Sequence, residues 1–145
     1  MIFLTDECVQ APVVALWRTM EALLPKPHIR EPHEIVTVED RYGRATPDEN
    51  WMLDASKWSP KPIVVSGDTA ILSKNKVKRA MFRECAFVWF ALADAWENME
   101  FNTLMWKATK VWPEITVAAA HATPPRVFRV RAKNEDIEDI TSQIY

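Results

Sequence analysis

A chain of 145 residues that is 48% hydrophobic and 26% charged, with only two glycines, can bury a core without disulfides or a structural metal, and is too apolar to stay disordered. Its net charge of −2 excludes a uniformly basic nucleic-acid binder, so any attraction to phosphate must come from a local patch. Its two cysteines, Cys8 and Cys85, are too few for a disulfide framework or a zinc site and suit a reducing compartment.

Along the chain, short β-rich runs alternate with longer segments of helical period, the pattern of a parallel sheet with helices on its faces. "IFL" at 2–4 is the first strand, ending at Thr5, Asp6 and Glu7. Residues 11–24 place Val13, Leu16, Trp17, Met20, Leu23 and Leu24 at helical spacing, until Pro25 and Pro27 stop the helix. "EIVTVED" at 34–40 reads as a second strand and "RYGRATP" as a loop. At "TPDENWMLDASKW" a helix opens, with Pro47, Asp48 and Glu49 suited to its first turn. "PIVVSGD" is β-branched with no polar alternation, as in a strand buried on both faces. A cationic helix over about 76–85, a strand at 86–92, a helical region over about 98–120 and a strand at 126–132 follow. In this last strand Val127, Phe128 and Val130 are interspersed with Arg126, Arg129 and Arg131, which predicts a half-buried edge strand. One domain is expected over 1–132, followed by an acidic tail, "KNEDIEDITSQIY" at 133–145, that is loosely held.

Three acids share one situation. Asp6 closes the first strand, Asp48 and Glu49 open the helix after the second, and Asp68 closes the third. In an open parallel sheet such ends lie along one edge, where crevices form, so acids remote in sequence are expected to converge. Converging carboxylates with no histidine beside them suit a hard cation with oxygen ligands, magnesium or manganese by default. Such a site can activate water and neutralise a phosphodiester, and its bare acids repel one another until metal arrives. Simpler roles are open to each acid: Asp48 as a helix cap, Glu49 as a dipole partner, Asp68 as a turn residue. Asp6 is harder to explain that way, because an acid after a buried strand offers little to packing, whereas Glu7, Asp40 and Asp54 suit ordinary surface positions.

Lys74, Lys76, Lys78, Arg79 and Arg83 follow Asp68 with no intervening acid. Beside an acidic metal site they read as the wall of a nuclease groove that holds phosphates; a solvated helix face is the plainer alternative. "MIFLTDECVQ" lacks the basic flank and apolar run of a signal peptide. No stretch approaches the roughly 18 apolar residues of a membrane span, so a cytoplasmic chain with no membrane association is expected.

With these residues in view, the chain resembles PIN-like domains, in the branch of ribonuclease toxins from bacterial toxin–antitoxin modules. "FLTDE", "TPDENW" and "VVSGDTAILSKN" are similar, in order, to the acidic motifs of that branch. Pro47, Asp48 and Trp51 fit its proline, aspartate, two variable residues, tryptophan pattern, and Asp68, Ile71 and Asn75 fit its third motif. The later "DAWENMEFNTLMWKATKVWPEI" shows Trp96, Met99, Trp112 and Pro113 in comparable order, so the resemblance spans roughly residues 2–131. It implies a three-layer α/β/α sandwich with a mainly parallel sheet of about five strands. It also implies hydrolysis of RNA phosphodiester bonds dependent on Mg²⁺ or Mn²⁺, with Asp6, Asp48 and Asp68 as the catalytic, metal-holding cluster. Asp94 is a loose candidate for a fourth acid, and either Asp48 or Glu49 could be the ligand in the middle motif. A toxin of this branch implies RNA as substrate and a cognate antitoxin or a second copy as protein partner.

Trp17 and Trp89 sit in apolar patterns that suit the core, while Trp96, Trp106 and Trp112 could pack the sheet or form a subunit or antitoxin interface. Two rival readings remain. A phospho-receiver would use Asp6 with Glu7, Asp68 and Lys133, although the interval to Asp68 is long and the cationic run has no role there. A PIN-like scaffold that binds RNA or a partner without cutting is the other.

Overall fold

The computed structural model describes residues 1–23, 30–68, 72, 75–93 and 96–145. Among these residues the chain runs β1 (Ile2–Thr5), α1 (Ala11–Ala22), β2 (Glu34–Thr37), α2 (Val38–Tyr42), α3 (Asp48–Ala55), β3 (Ile63–Ser66), α4 (Lys76–Cys85), β4 (Val88–Ala93), α5 (Phe101–His121), β5 (Arg126–Arg131), β6 (Ile137–Asp139) and α6 (Thr141–Ile144). The strands form one sheet in the order β2-β1-β3-β4-β5-β6, parallel throughout except for the antiparallel β5–β6 pair. The helices cover both faces, as the expected three-layer α/β/α sandwich requires.

The apolar runs explain the layering. Side chains alternate across the pleat, so Phe3, Ile63, Val65 and Phe90 face a core shared with Trp17, Trp112 and Ile115 of α1 and α5. Their neighbours Leu4, Val64, Trp89 and Ala91 face the opposite core, with Trp51, Phe82 and Ile140. Both faces of β1, β3 and β4 are therefore covered, and this is why "IVVS" shows no polar alternation. Trp112 stacks on Trp17 with ring centroids 4.8 Å apart, and the Trp17 indole donates to the Ala108 carbonyl at 2.9 Å. Trp96 is also buried, donating to Val130 O at 3.1 Å. Trp106 alone of the three late tryptophans is exposed, with the Lys110 ammonium 5.1 Å from its ring centroid. None of the helices described is long and apolar enough to cross a membrane.

Three expectations are corrected. "EIVTVED" is strand only as far as Thr37, because the Thr37 hydroxyl accepts from Asp40 N at 3.0 Å and caps α2 instead. β5 is not an edge, and the residues of 133–145 are not a loose tail. Asp139 pairs with Arg126 at 2.7 Å and Glu138 with Arg129 at 3.4 Å, Glu138 also meets Arg131, and Ile140 and Ile144 are buried. Acids that read as solvated charge are cross-strand partners of the arginines that read as solvated charge. The proposed helix stop at Leu24, Pro25 and Pro27 lies outside the described residues, as do Ile71, Lys74 and Asp94.

Candidate functional site

From β1 the sheet grows to β2 on one side and to β3 on the other. Crevices form at such a reversal, beyond the carboxyl ends of the strands. Thr5 lies opposite Val65, and Asp6 N carries the ladder one step further to Val65 O at 3.3 Å. The turns after β1 and β3 are thereby held side by side.

Asp6 is mostly buried in this crevice. One carboxylate oxygen accepts from Cys8 N and Gly67 N, each at 3.1 Å, and the other accepts from the Ser66 hydroxyl. Ser66 Oγ in turn accepts from Asp68 N at 3.0 Å, so one chain of bonds links Asp6 to the backbone of Asp68. Burial pushes the Asp6 carboxyl up to about 6; the bonds from Ser66, Gly67 and Cys8 oppose that shift, and the charge of Asp48 adds to it. Gly67 is required by the close approach: a Cβ there would lie 2.3 Å from the Cys8 carbonyl oxygen.

Asp48 opens α3 after Pro47, and Trp51 Nε1 donates to its Oδ1 at 3.1 Å. Its Oδ2 accepts from the Lys78 ammonium at 3.2 Å, and the same ammonium donates to Asp68 Oδ2 at 2.6 Å. Lys78 thus sits between two of the three aspartates. The Asp68 bond holds its ammonium protonated above the usual lysine range; partial burial opposes this and the Asp48 bond reinforces it. Glu7, which looks like an ordinary surface acid in the sequence, accepts from Ala45 N at 2.6 Å. That bond ties the end of β1 to the loop that leads into α3. The only hint of it in the sequence is the second acid directly after the strand.

Asp6, Asp48, Ser66, Asp68 and Lys78 line one cavity of about 20 Å³, floored by Trp51 and Phe82. That is room for about one water-sized body. In kind, the donor set suits a hard cation: three carboxylates and a hydroxyl; burial and the surrounding acids push the nearby Cys8 thiol up to about 11. In arrangement, no group of three His, Cys, Asp or Glu among the described residues is placed to hold a metal ion, and the ammonium of Lys78 lies between two of the acids. Glu49 is exposed and does not line the cavity. Asp94 lies outside the described residues.

The cationic run divides three ways. Lys78 turns inward, as described, and Lys76 is exposed. Arg79 donates to Gln143 O at 3.4 Å and Arg83 to Ile144 O at 3.0 Å, so both guanidiniums meet carbonyls of the C-terminal segment. Lys74 is outside the described residues. Asn75 caps the helix from the position before its first residue, its side chain accepting from Val77 N at 3.1 Å and Lys78 N at 3.2 Å. Asn75→Ala should therefore cost about 1 kcal/mol of stability, read from the midpoint of chemical denaturation; an unchanged midpoint would show that the cap contributes nothing.

A sequence profile described as "PIN like domain" matches residues 1–94, a span that contains Asp6, Asp48, Asp68 and Lys78. No curated protein and no solved structure matches the chain.

Proposed function

Because the chain belongs to the PIN-like domain family, whose fold is of the nuclease type, we propose that it is a metal-dependent endoribonuclease and acts as the toxin of a toxin–antitoxin pair. The observation that carries this reading is the convergence of Asp6, Asp48 and Asp68, from three separate segments, on one small cavity. Asp6, Asp48 and Asp68 would hold a magnesium or manganese ion only after a local rearrangement, because as placed no three acids among the described residues form a metal site. When bound, the ion supplies Lewis-acid activation of water and neutralises charge on the phosphodiester.

The remaining chemistry belongs to the chain. Asp6 is locked by Cys8 N, Gly67 N and Ser66, which fixes its carboxylate before substrate arrives and lowers the reorganisation needed in the reaction. Trp51 holds Asp48 by its Oδ1. Lys76, exposed at the start of α4, and Lys74 orient the RNA backbone through phosphate contacts, which makes affinity salt-dependent and largely independent of sequence. Water attacks phosphorus in line and the 3′ oxygen leaves, giving 5′-phosphate and 3′-hydroxyl ends. Family membership favours this hydrolysis over the phosphotransfer of a receiver domain.

The test is incubation of single-stranded RNA with the purified chain in Mg²⁺ or Mn²⁺. Cleavage that stops in excess chelator is the expected result. An intact RNA pool under every metal condition would leave only a binding scaffold, and cleavage that persists in chelator would remove the metal. Growth arrest on expression in a bacterial host checks the toxin role.

A further inference from the structure

Lys78 does something that a phosphate-binding lysine does not. Its ammonium is partly buried and bridges Asp68 Oδ2 at 2.6 Å and Asp48 Oδ2 at 3.2 Å. It is also the third residue of α4, where the helix dipole disfavours a cation and where the first turn carries no acid. A positive charge is therefore held against the local preference of its own helix, and the two carboxylates across the cavity are what compensate it. The cavity it lines, about 20 Å³, has room for about one water-sized body.

We propose that Lys78 is a tethered counter-cation of the carboxylate cluster, and that a divalent ion binds only by displacing its ammonium from Asp48 and Asp68. The inference rests on the metal-dependent reading and adds to it a competition built into the chain. Without metal, the lysine relieves the repulsion between Asp48 and Asp68 and keeps the cluster assembled. On metal binding, that ion pair must break, so apparent affinity is lowered by the free energy of the pair. Lysine suits the role better than arginine: a compact charge on a flexible four-carbon stem can swing clear, whereas a guanidinium fork would grip both carboxylates in fixed geometry.

The experiment is calorimetric titration of the full chain with Mn²⁺, comparing wild type with Lys78→Met and Lys78→Gln at fixed ionic strength. Removing a positive charge from beside the ion should tighten binding roughly ten- to hundredfold in both variants. Each variant should also melt at a lower temperature than wild type without metal, and gain more from added Mn²⁺. Unchanged or weaker affinity in the variants, with wild type still binding, overturns the competition and leaves the metal centre standing. No Mn²⁺ binding by any of the three proteins overturns both. Should the variants fold poorly, the isotope-labelled Lys78 ammonium of the wild-type chain decides the matter. Its slowed proton exchange must be lost as Mg²⁺ is added, and a signal that survives saturation refutes displacement.

Discussion

Asp6→Asn should abolish metal-dependent RNA cleavage while leaving the metal-free protein at least as stable as wild type. The substitution keeps size and hydrogen bonding: the amide oxygen can still accept from Cys8 N and Gly67 N, and the amide nitrogen can donate to Ser66 Oγ. What it removes is a charge that burial disfavours. The sign follows from linkage. The folded-state value of about 6 lies above the ordinary 3.8, so between those values the unfolded chain has released a proton that the folded chain still binds. The contribution of Asp6 to wild-type stability therefore falls as pH rises from about 3.8 to about 6 and is level above that, while His33, pushed down to about 4 by burial, adds a slope of opposite sign to wild type and variant alike. At about 1.4 kcal/mol per unit, the loss is on the order of 3 kcal/mol. The asparagine variant lacks the Asp6 slope, so its advantage should grow through that window and persist at neutral pH. Denaturation midpoints across the pH range, without metal, check it. A variant markedly less stable than wild type above pH 6 would mean that the carboxylate is a structural anchor and not a site held at a cost.

Gly67→Ala is expected to be as damaging to function as loss of an aspartate, although Gly67 is not itself a proposed ligand. The new methyl carbon would lie 2.3 Å from Cys8 O and 2.6 Å from Cys8 C. Both atoms are backbone and cannot swing aside. Gly43 is the glycine with a left-handed torsion, at φ 92, whereas at Gly67 the cost is steric. Relief requires the turns after β1 and β3 to part, which pulls Cys8 N and Gly67 N away from the Asp6 carboxylate they share. Destabilisation of about 1–3 kcal/mol, together with loss of cleavage and of Mn²⁺ binding, is the expected outcome. Retained activity would show that the crevice tolerates separation and that its geometry matters less than its charge.

Much of this was legible in the residues. Buried strands announce themselves by runs such as "IVVS" and "VWFALA", where no polar residue interrupts the apolar pattern. Asp6 and Asp68 were locatable because each follows such a run, and parallel topology makes their neighbourhood predictable. Partnership between charges was not legible. Lys78 looks like Lys76 in the sequence, but about half a helix turn decides that the first reaches Asp48 and Asp68 while the second stays in solvent. Arg79 and Arg83 read as groove wall, yet their partners are carbonyls of Gln143 and Ile144 in a segment that composition alone suggested was loose. Charge runs disclose their sign, and only tertiary structure discloses what they face.

The profile match stops at residue 94, whereas α5, which shares one face of the sheet with α1, and β5, which pairs with β4, come later. A truncation at that boundary would retain Asp6, Asp48, Asp68 and Lys78 and discard Ile115, Val130 and Trp112, the ring against which Phe3 and Trp17 rest. Such a fragment would possess every acid of the proposed centre and only part of the core that aims them. The minimal unit for recombinant work is set by the second half of the interior, not by the reach of the recognisable motif.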